Sequence, residues 1–301
     1  MKLAITGGTG FVGSHVIDLA LAAGHDVRAL TRLDPTERPS VTWVKGDLSN
    51  RDALRELVHG ADSVIHVAGT IKATNAAGFE EGNVTGTLAM LAAATAGGLH
   101  RFVHVSSLAA REPKLSLYGA SKARAEDLVR SSGLDWSIVR PPAVYGPGDK
   151  ETLELFRMAK LGLMLMPPKG RLSLIHVDDL ARLLLAMAAP PAPSHTLIEP
   201  DDGRPGGWTH RAFAQTLARA VGTKAAILSS PSVLLRLAAR ADQWIRGSNA
   251  KLTVDRAAYF AHRDWVVQPR HAAPQALWQP QIATAEGLQE TAAWYRAQGW
   301  L

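Results

Sequence analysis

The chain has 301 residues, 47% of them hydrophobic and 20% charged, which is enough apolar material for a packed core and excludes disorder as the main state. It has no cysteine, so disulfides, thiolate catalysis, Cys-ligated zinc and iron–sulfur chemistry are excluded. The formal charge of +6 comes without a Lys/Arg run that would track phosphates, which fits an enzyme holding a polyanionic cofactor better than a nucleic-acid binder. The opening Met1-Lys2-Leu3-Ala4-Ile5 turns glycine-rich at once, which breaks a signal-peptide core. The most apolar stretch, 180–189, carries Arg182 and falls short of the ~20 residues that cross a bilayer. A cytoplasmic protein is predicted, with peripheral contact at a membrane surface left open.

In chain order, residues 3–6 read as a strand ending in glycines. Residues 11–23 carry helical spacing through Val12, Val16, Leu19 and Ala23, stopped by Gly24. Strands are predicted at 26–30, 41–44 and 63–67, an Ala-rich helix at 79–96, a strand at 102–105, a helix at 118–131 and a strand at 136–139. Strands and helices alternating at this spacing predict an α/β fold, a doubly wound parallel sheet of Rossmann type over residues 1–145. Beyond that the rhythm changes. Residues 146–301 are predicted to complete the core, through 170–200, and to form a smaller, mainly helical substrate portion, with helices at 153–163, 178–188, 211–221, 232–245 and 285–297.

Directly after the first strand, Thr6-Gly7-Gly8-Thr9-Gly10-Phe11-Val12-Gly13 opens a helix. Glycines at this turn let a pyrophosphate approach the backbone, and the helix N-terminus offers unpaired N–H groups. Gly7, Thr9, Gly10, Phe11, Val12 and Gly13 are therefore candidate cofactor residues. An acid ~20 positions further on would take a ribose 2′-OH and favour NAD. Here the second strand runs into Thr31-Arg32-Leu33, with the nearest acid, Asp34, beyond it. Arg32 suits a 2′-phosphate, so NADP(H) is the predicted cofactor and NAD(H) the alternative.

Ser107 ends the strand at 102–105, and Tyr118-Gly119-Ala120-Ser121-Lys122 places a tyrosine and a lysine on one helix face. With the glycine opening, this order of motifs resembles the extended branch of the short-chain dehydrogenase/reductase superfamily over essentially the whole chain. The resemblance assigns Asp47 and Leu48 to an adenine-contact segment, Ala68 and Gly69 to the segment beside the cofactor, Asn83 to the fourth-helix motif, and Pro141 and Val144 to the segment backing the nicotinamide. It also implies a homodimer. Bottom-up chemistry agrees with the triad. Carbonyl reduction needs a hydride and a proton, and a free tyrosine with a pKa of about 10 relays protons poorly at neutral pH. In this reading Tyr118 is the acid/base, Lys122 tunes it and also binds the nicotinamide ribose, and Ser107 orients the carbonyl. Tyr118 and Lys122 thus count as both catalytic and cofactor-binding.

No His/Asp/Glu set has metal spacing, so no metal site is predicted. His66, His104 and His176 read as strand-packed histidines, and Asp178-Asp179 as a helix cap and sheet anchor. Three functions compete: an NADP(H)-dependent ketone/alcohol oxidoreductase, a sugar-nucleotide epimerase or dehydratase, and a non-catalytic dinucleotide-binding subunit. The intact Tyr118/Lys122 pair disfavours the third. By comparison with the sugar-nucleotide members of the family it resembles, the stretch 108–117 is short with little polar apparatus for a hexose and 171–175 is more apolar. Two stretches point to a bulky hydrophobic or lipid-like substrate: the apolar run 161–166 and the basic amphipathic segment 232–247 with Trp244. Both could instead close a core.

Overall fold

The structure, a computed structural model, describes residues 1–33, 38, 40–231, 237, 239, 240, 242, 244, 247 and 254–301. Its strands in chain order are β1 (Lys2–Thr6), β2 (Asp26–Thr31), β3 (Val41–Lys45), β4 (Ser63–His66), β5 (Arg101–Val105), β6 (Asp135–Val139), β7 (Ala143–Tyr145), β8 (Leu163–Met166), β9 (Arg171–Leu172), β10 (Leu174–His176), β11 (Thr196–Ile198), β12 (Trp208–Thr209), β13 (Ala226–Ser229) and β14 (Asp264–Trp265). The α-helices are α1 (Phe11–Ala22), α2 (Arg51–Val58), α3 (Ala76–Phe79), α4 (Gly86–Ala96), α5 (Leu117–Arg130), α6 (Leu153–Lys160), α7 (Val177–Ala188), α8 (His210–Val221), α9 (Val254–Ala261) and α10 (Thr284–Ala297).

These elements form two compact units. The first comprises Met1–Pro141, Leu180–Glu199 and His271–Gln279. Its centre is a seven-stranded sheet in the order β11-β6-β5-β4-β1-β2-β3, with every pairing parallel. The apolar strands that predicted this sheet are buried on both faces, as crossover helices require: every residue of β4 is buried, as are four of five in β1 and β5. Arg101 ties the β11 edge down. Its guanidinium donates to the carbonyls of Met187 and Pro193 and pairs with Asp135 at 2.8 Å.

Two departures from the sequence reading lie in this unit. α2 was not expected. Its outward residues are Arg51, Asp52, Arg55 and Glu56, so only Ala53, Leu54, Leu57 and Val58 carry an apolar signal, and Asn50 caps it by accepting from Ala53 N at 3.1 Å. The predicted helix over 79–96 is two α-helices, α3 and α4, joined by a wider π-type turn over Glu80–Thr85. Such a turn inserts a residue into the helical register, and often occurs at functional sites.

The second unit comprises Pro142–Asp179, Pro200–Arg270 and Pro280–Leu301. Alongside its helices it carries three small sheets: β7 with β10, β8 with β13, and β12-β9-β14. Its core gathers Tyr145, Phe156, Met164, Met166, Phe213 and Tyr295. The helix predicted to run to residue 163 stops at Lys160, because Gly162 turns the chain at φ 79° and residues 163–166 pair with β13 instead. The amphipathic segment 232–247 lies largely outside the described residues. Asp179 is neither the helix cap nor the sheet anchor predicted for it: α7 already begins at Val177, and the fully buried carboxylate instead accepts from Gln281 N and Ile282 N, both at 3.1 Å, in the turn that leads into α10. Asp179→Ala removes the buried acceptor of two backbone donors, and is expected to destabilise the protein by ~1–3 kcal/mol in urea titration, with the larger loss in whichever transition reports the second unit.

Candidate active site

The predicted cofactor residues of the first unit, and the predicted catalytic Ser107, fall at the carboxyl ends of successive parallel strands: Gly7 after β1, Arg32 after β2, Asp47 and Leu48 after β3, Ala68 and Gly69 after β4, Ser107 after β5 and Pro141 after β6. In an open α/β sheet, ligands bind in the crevice at these ends, where the strand order reverses. Here the reversal lies between β1 and β4. The glycine turn is folded tightly there. Gly7 sits at φ 74° with Ala68 N against it, and a Cβ on Gly13 would lie 2.1 Å from Gly7 O. Thr9, Gly10, Phe11 and Val12 lead from this turn into α1, whose N-cap Gly10 brings no capping side chain. The first-turn amides are therefore not taken by a side-chain cap, and this cradle fits a pyrophosphate.

Arg32 is exposed, and its charge helps hold the Asp47 carboxyl below its ordinary pKa, after the larger contribution of hydrogen bonds from Ser49. Asp34 lies outside the described residues. Leu48 packs over Gly86 of α4, where an added Cβ would meet it at 2.6 Å, so its side chain serves core packing. Val144 lies on β7, in the second unit.

The reacting groups are set by β5, the π-type turn and α5. Ser107 starts a 3-10 turn and accepts from Ala109 N at 3.2 Å, and its hydroxyl lies beside the Tyr118 phenol. Tyr118 stands in the first turn of α5, with its ring 6.1 Å from that of Phe79. Burial pushes its phenol above the ordinary value, and the neighbouring Ser107 hydroxyl pulls part of the way back, so Tyr118 holds its proton at neutral pH. Lys122 is buried one turn on and donates to the Val105 carbonyl at 2.7 Å. Burial lowers its pKa to about 8 against the opposing pull of Glu126. The fully buried Asn83, in the π-type turn, bonds Thr70 through both N–H and carbonyl and donates to Ser121 Oγ at 2.9 Å. A Cβ on Gly69 would lie 2.8 Å from Asn83 Oδ1 and 3.6 Å from Lys122 Nζ, so Gly69, Asn83 and Lys122 converge on one spot.

Beneath this surface is a charge network that the motifs did not reveal. Glu126 is fully buried and accepts from Ser106 Oγ at 2.6 Å, from both ends of the Arg140 fork at 2.7 Å, and from Arg130 at 2.8 Å. Arg140 also reaches the buried Glu199 at 3.3 Å. Burial alone would raise the Glu126 carboxyl, but its cationic partners and Ser106 hold it below the ordinary range. The available signal was spacing: Glu126 follows Lys122 by four residues on one helix face. Of the predicted strand histidines, His66 is hydrogen-bonded as expected, whereas both ring nitrogens of the fully buried His104 are without a hydrogen-bond partner among the described residues. His66 meets Thr6 Oγ1 at 2.8 Å and burial lowers its pKa to about 3; His104 stacks on it, and burial drives its pKa well down too. No metal-holding cluster occurs among the described residues.

Comparison with known proteins agrees with this geometry. The profile of the NAD dependent epimerase/dehydratase family matches residues 3–197. The chain belongs to that family. Its sequence is 40% identical to a ceramide reductase of Caulobacter vibrioides, over 99% of this chain and 96% of the relative. It is 30% identical to a farnesyl dihydroquinoline-oxide ketoreductase of Stigmatella aurantiaca, over 79% of each. Among solved structures it is similar to gox2253 (TM-score 0.77, 23% identity, 100% of this chain and 99% of that one) and to MoeE5 in complex with UDP-glucose and NAD (TM-score 0.75, 20% identity, 99% of each). Membership in this extended short-chain dehydrogenase/reductase family makes the protein an NAD(P)-dependent oxidoreductase. The glycine cradle and the Gly69–Asn83–Lys122 cluster fit such a dinucleotide.

The buried Lys122 gives the family fold a pH signature. Its ordinary pKa of 10.5 falls to about 8 in the folded state. Between those values the unfolded chain binds a proton that the native state does not, so stability rises with pH. Below about 8 the cost of burying the cation is fully present. Lys122→Met removes this titration. In cofactor-free protein the variant's stability advantage from it should shrink by ~2–3 kcal/mol from pH 8 to pH 10.5, read by urea unfolding across that window.

Proposed function

We propose that the protein is an NADP(H)-dependent reductase that converts a ketone on a long-chain, ceramide-like lipid into a secondary alcohol. The observation that carries the chemistry is a Tyr118 phenol that burial keeps protonated at neutral pH beside the Ser107 hydroxyl, one helical turn from the buried Lys122. That is the state a proton donor to a carbonyl oxygen needs. The lipid class rests on likeness to a ceramide reductase over nearly the full length of both chains, supported by a second relative that reduces a ketone on a farnesylated ring.

The dinucleotide, when bound, supplies a hydride to the carbonyl carbon. Ser107 holds the carbonyl oxygen through its hydroxyl as negative charge develops there. Tyr118 gives that oxygen its phenolic proton. Lys122, from its seat on the Val105 carbonyl, binds the nicotinamide ribose and steadies the phenolate that remains, and Glu126 one turn along helps keep the ammonium charged. One hydride and one proton are consumed per alcohol formed. Tyr118→Phe removes only the transferable proton, so turnover should fall ~10²–10⁴-fold while NADPH still binds. NADPH absorbance followed over a ketone panel reads this directly. A sugar-nucleotide epimerase would return its cofactor unchanged, with no net oxidation, and a near-normal rate in the variant would remove Tyr118 from the mechanism.

The preference for NADP(H) rests on Arg32, exposed just beyond β2 in a stretch, 30–33, that holds no acid; the Asp47 carboxyl that feels its charge follows the neighbouring strand β3. A guanidinium–phosphate contact of ~1.5–3 kcal/mol implies about 10- to 150-fold tighter NADPH than NADH. Arg32→Ala should close most of that gap in fluorescence titrations. Equal affinity for both cofactors in the unmodified protein would reject the preference.

A further inference from the structure

The strand pair β8–β13 has one face in the core of the second unit and one face outside. Met164 and Met166 point inward. Leu163 and Leu165 point the other way and are 50% and 53% exposed. On β13, Ala226 lies opposite Leu163 and Leu228 opposite Leu165, and Leu228 is 55% exposed. Residues paired in register share a face, so these four side chains form one outward apolar patch. Leu161, in the turn leading into β8, is 84% exposed and extends the patch along the chain. Isolated exposed leucines are ordinary; four within two paired strands and their lead-in turn, on a small two-stranded sheet, mark an interaction surface.

The charge around the patch identifies what it meets. The segments 158–171 and 222–231, which contain both strands, hold Lys160, Lys169, Arg171 and Lys224 and no Asp or Glu, while Arg157 just before them is paired with Glu154 at 2.7 Å. Lys160, Lys169 and Lys224 are exposed and none takes part in an ion pair among the described residues. Self-pairing of this face about a two-fold axis would set these cations against their own copies. An anionic lipid surface instead offers the leucines an apolar boundary and the lysines a counter-charge. Leu237 and Trp244, downstream of β13, are also exposed, Trp244 at 88%.

We infer that the outer face of β8–β13 docks the protein on an anionic bilayer. The inference rests on the lipid-ketone reading above, for which a substrate dissolved in a membrane requires an enzyme that works at its surface. Its test is co-sedimentation of the full-length protein with vesicles of phosphatidylcholine alone and of phosphatidylcholine mixed with phosphatidylglycerol. Binding to the anionic vesicles should weaken as salt rises. Leu163→Asn/Leu165→Asn/Leu228→Asn, all at exposed positions, should lower the partition coefficient at least ~10-fold. Lys160→Glu/Lys224→Glu should lower it ~10-fold or more on anionic vesicles and leave the weak binding to phosphatidylcholine unchanged. Thermal unfolding checks that both variants fold. Because the chain has no cysteine, a polarity-sensitive fluorophore on Leu165→Cys reports this face alone, and its emission should shift to the blue on anionic vesicles.

Absence of binding to anionic vesicles, or binding that the leucine variant leaves intact, would overturn the docking surface. So would a dimer in sedimentation velocity that the leucine variant dissociates, since the occupant would then be a second copy. Turnover of a long-chain ketone in detergent micelles is measured in parallel. Vesicle binding without turnover would count against the catalytic reading alone; turnover without vesicle binding would count against the docking surface alone.

Discussion

One buried carboxylate organises the catalytic half of the first unit. Glu126 takes hydrogen bonds from Ser106 at the end of β5, from Arg140 just past β6, and from Arg130 on its own helix, and Arg140 carries the connection on to Glu199 after β11. Three neighbouring strand ends are thereby fixed to α5, the helix that carries Tyr118 and Lys122. A buried ion of this kind is costly to desolvate, and the cost is met only because its oxygens have several good partners. The geometry that results is positional. Ser107, next to Ser106, and Tyr118, at the other end of α5, meet because both ends of this arrangement are held.

The electrostatics of the site follow from the same burial. Lys122 is depressed and Tyr118 elevated for one reason, loss of water around both. The two shifts oppose one another in charge: a lysine inclined to be neutral stands one turn from a tyrosine that holds its proton. Glu126 acts against the first tendency and Ser107 against the second. His66 and His104, stacked beneath at 5.5 Å, stay neutral and add no competing charge.

Much of this was legible in the sequence, because it is written in local rules. The glycine turn needs small residues at fixed offsets from a strand, Tyr118 and Lys122 need helical spacing, and doubly buried strands read as continuous apolar runs. What escaped was written in tertiary partners. α2 shows a polar face to any linear reading, and its burial depends on strands distant in sequence. The helical spacing of α6 reads on to residue 163 until Gly162 breaks it, and β13, some sixty residues later, supplies the hydrogen bonds that make 163–166 a strand. Glu126 resembles a surface acid of a helix unless Arg140 and Ser106 are known to lie against it. The apolar run 161–166 divided in a way neither simple reading anticipated, with its methionines in the core and its leucines outside.

The first unit is also assembled from three separate stretches of chain, and that has a consequence for how it is made. When β6 leaves the ribosome, six strands of the central sheet exist and the backbone groups along one side of β6 have no partner. The strand that covers them, β11, arrives only after α6, α7 and four short strands have been synthesised, a delay on the order of seconds at ordinary elongation rates. During that interval the nascent sheet exposes an apolar, hydrogen-bonding edge of the kind that recruits foreign strands. The Arg101 guanidinium, already in place on β5, waits for the Met187 and Pro193 carbonyls that will close it. This side of the sheet is therefore exposed to misassembly, and open to a chaperone's protection, between the emergence of β6 and that of β11.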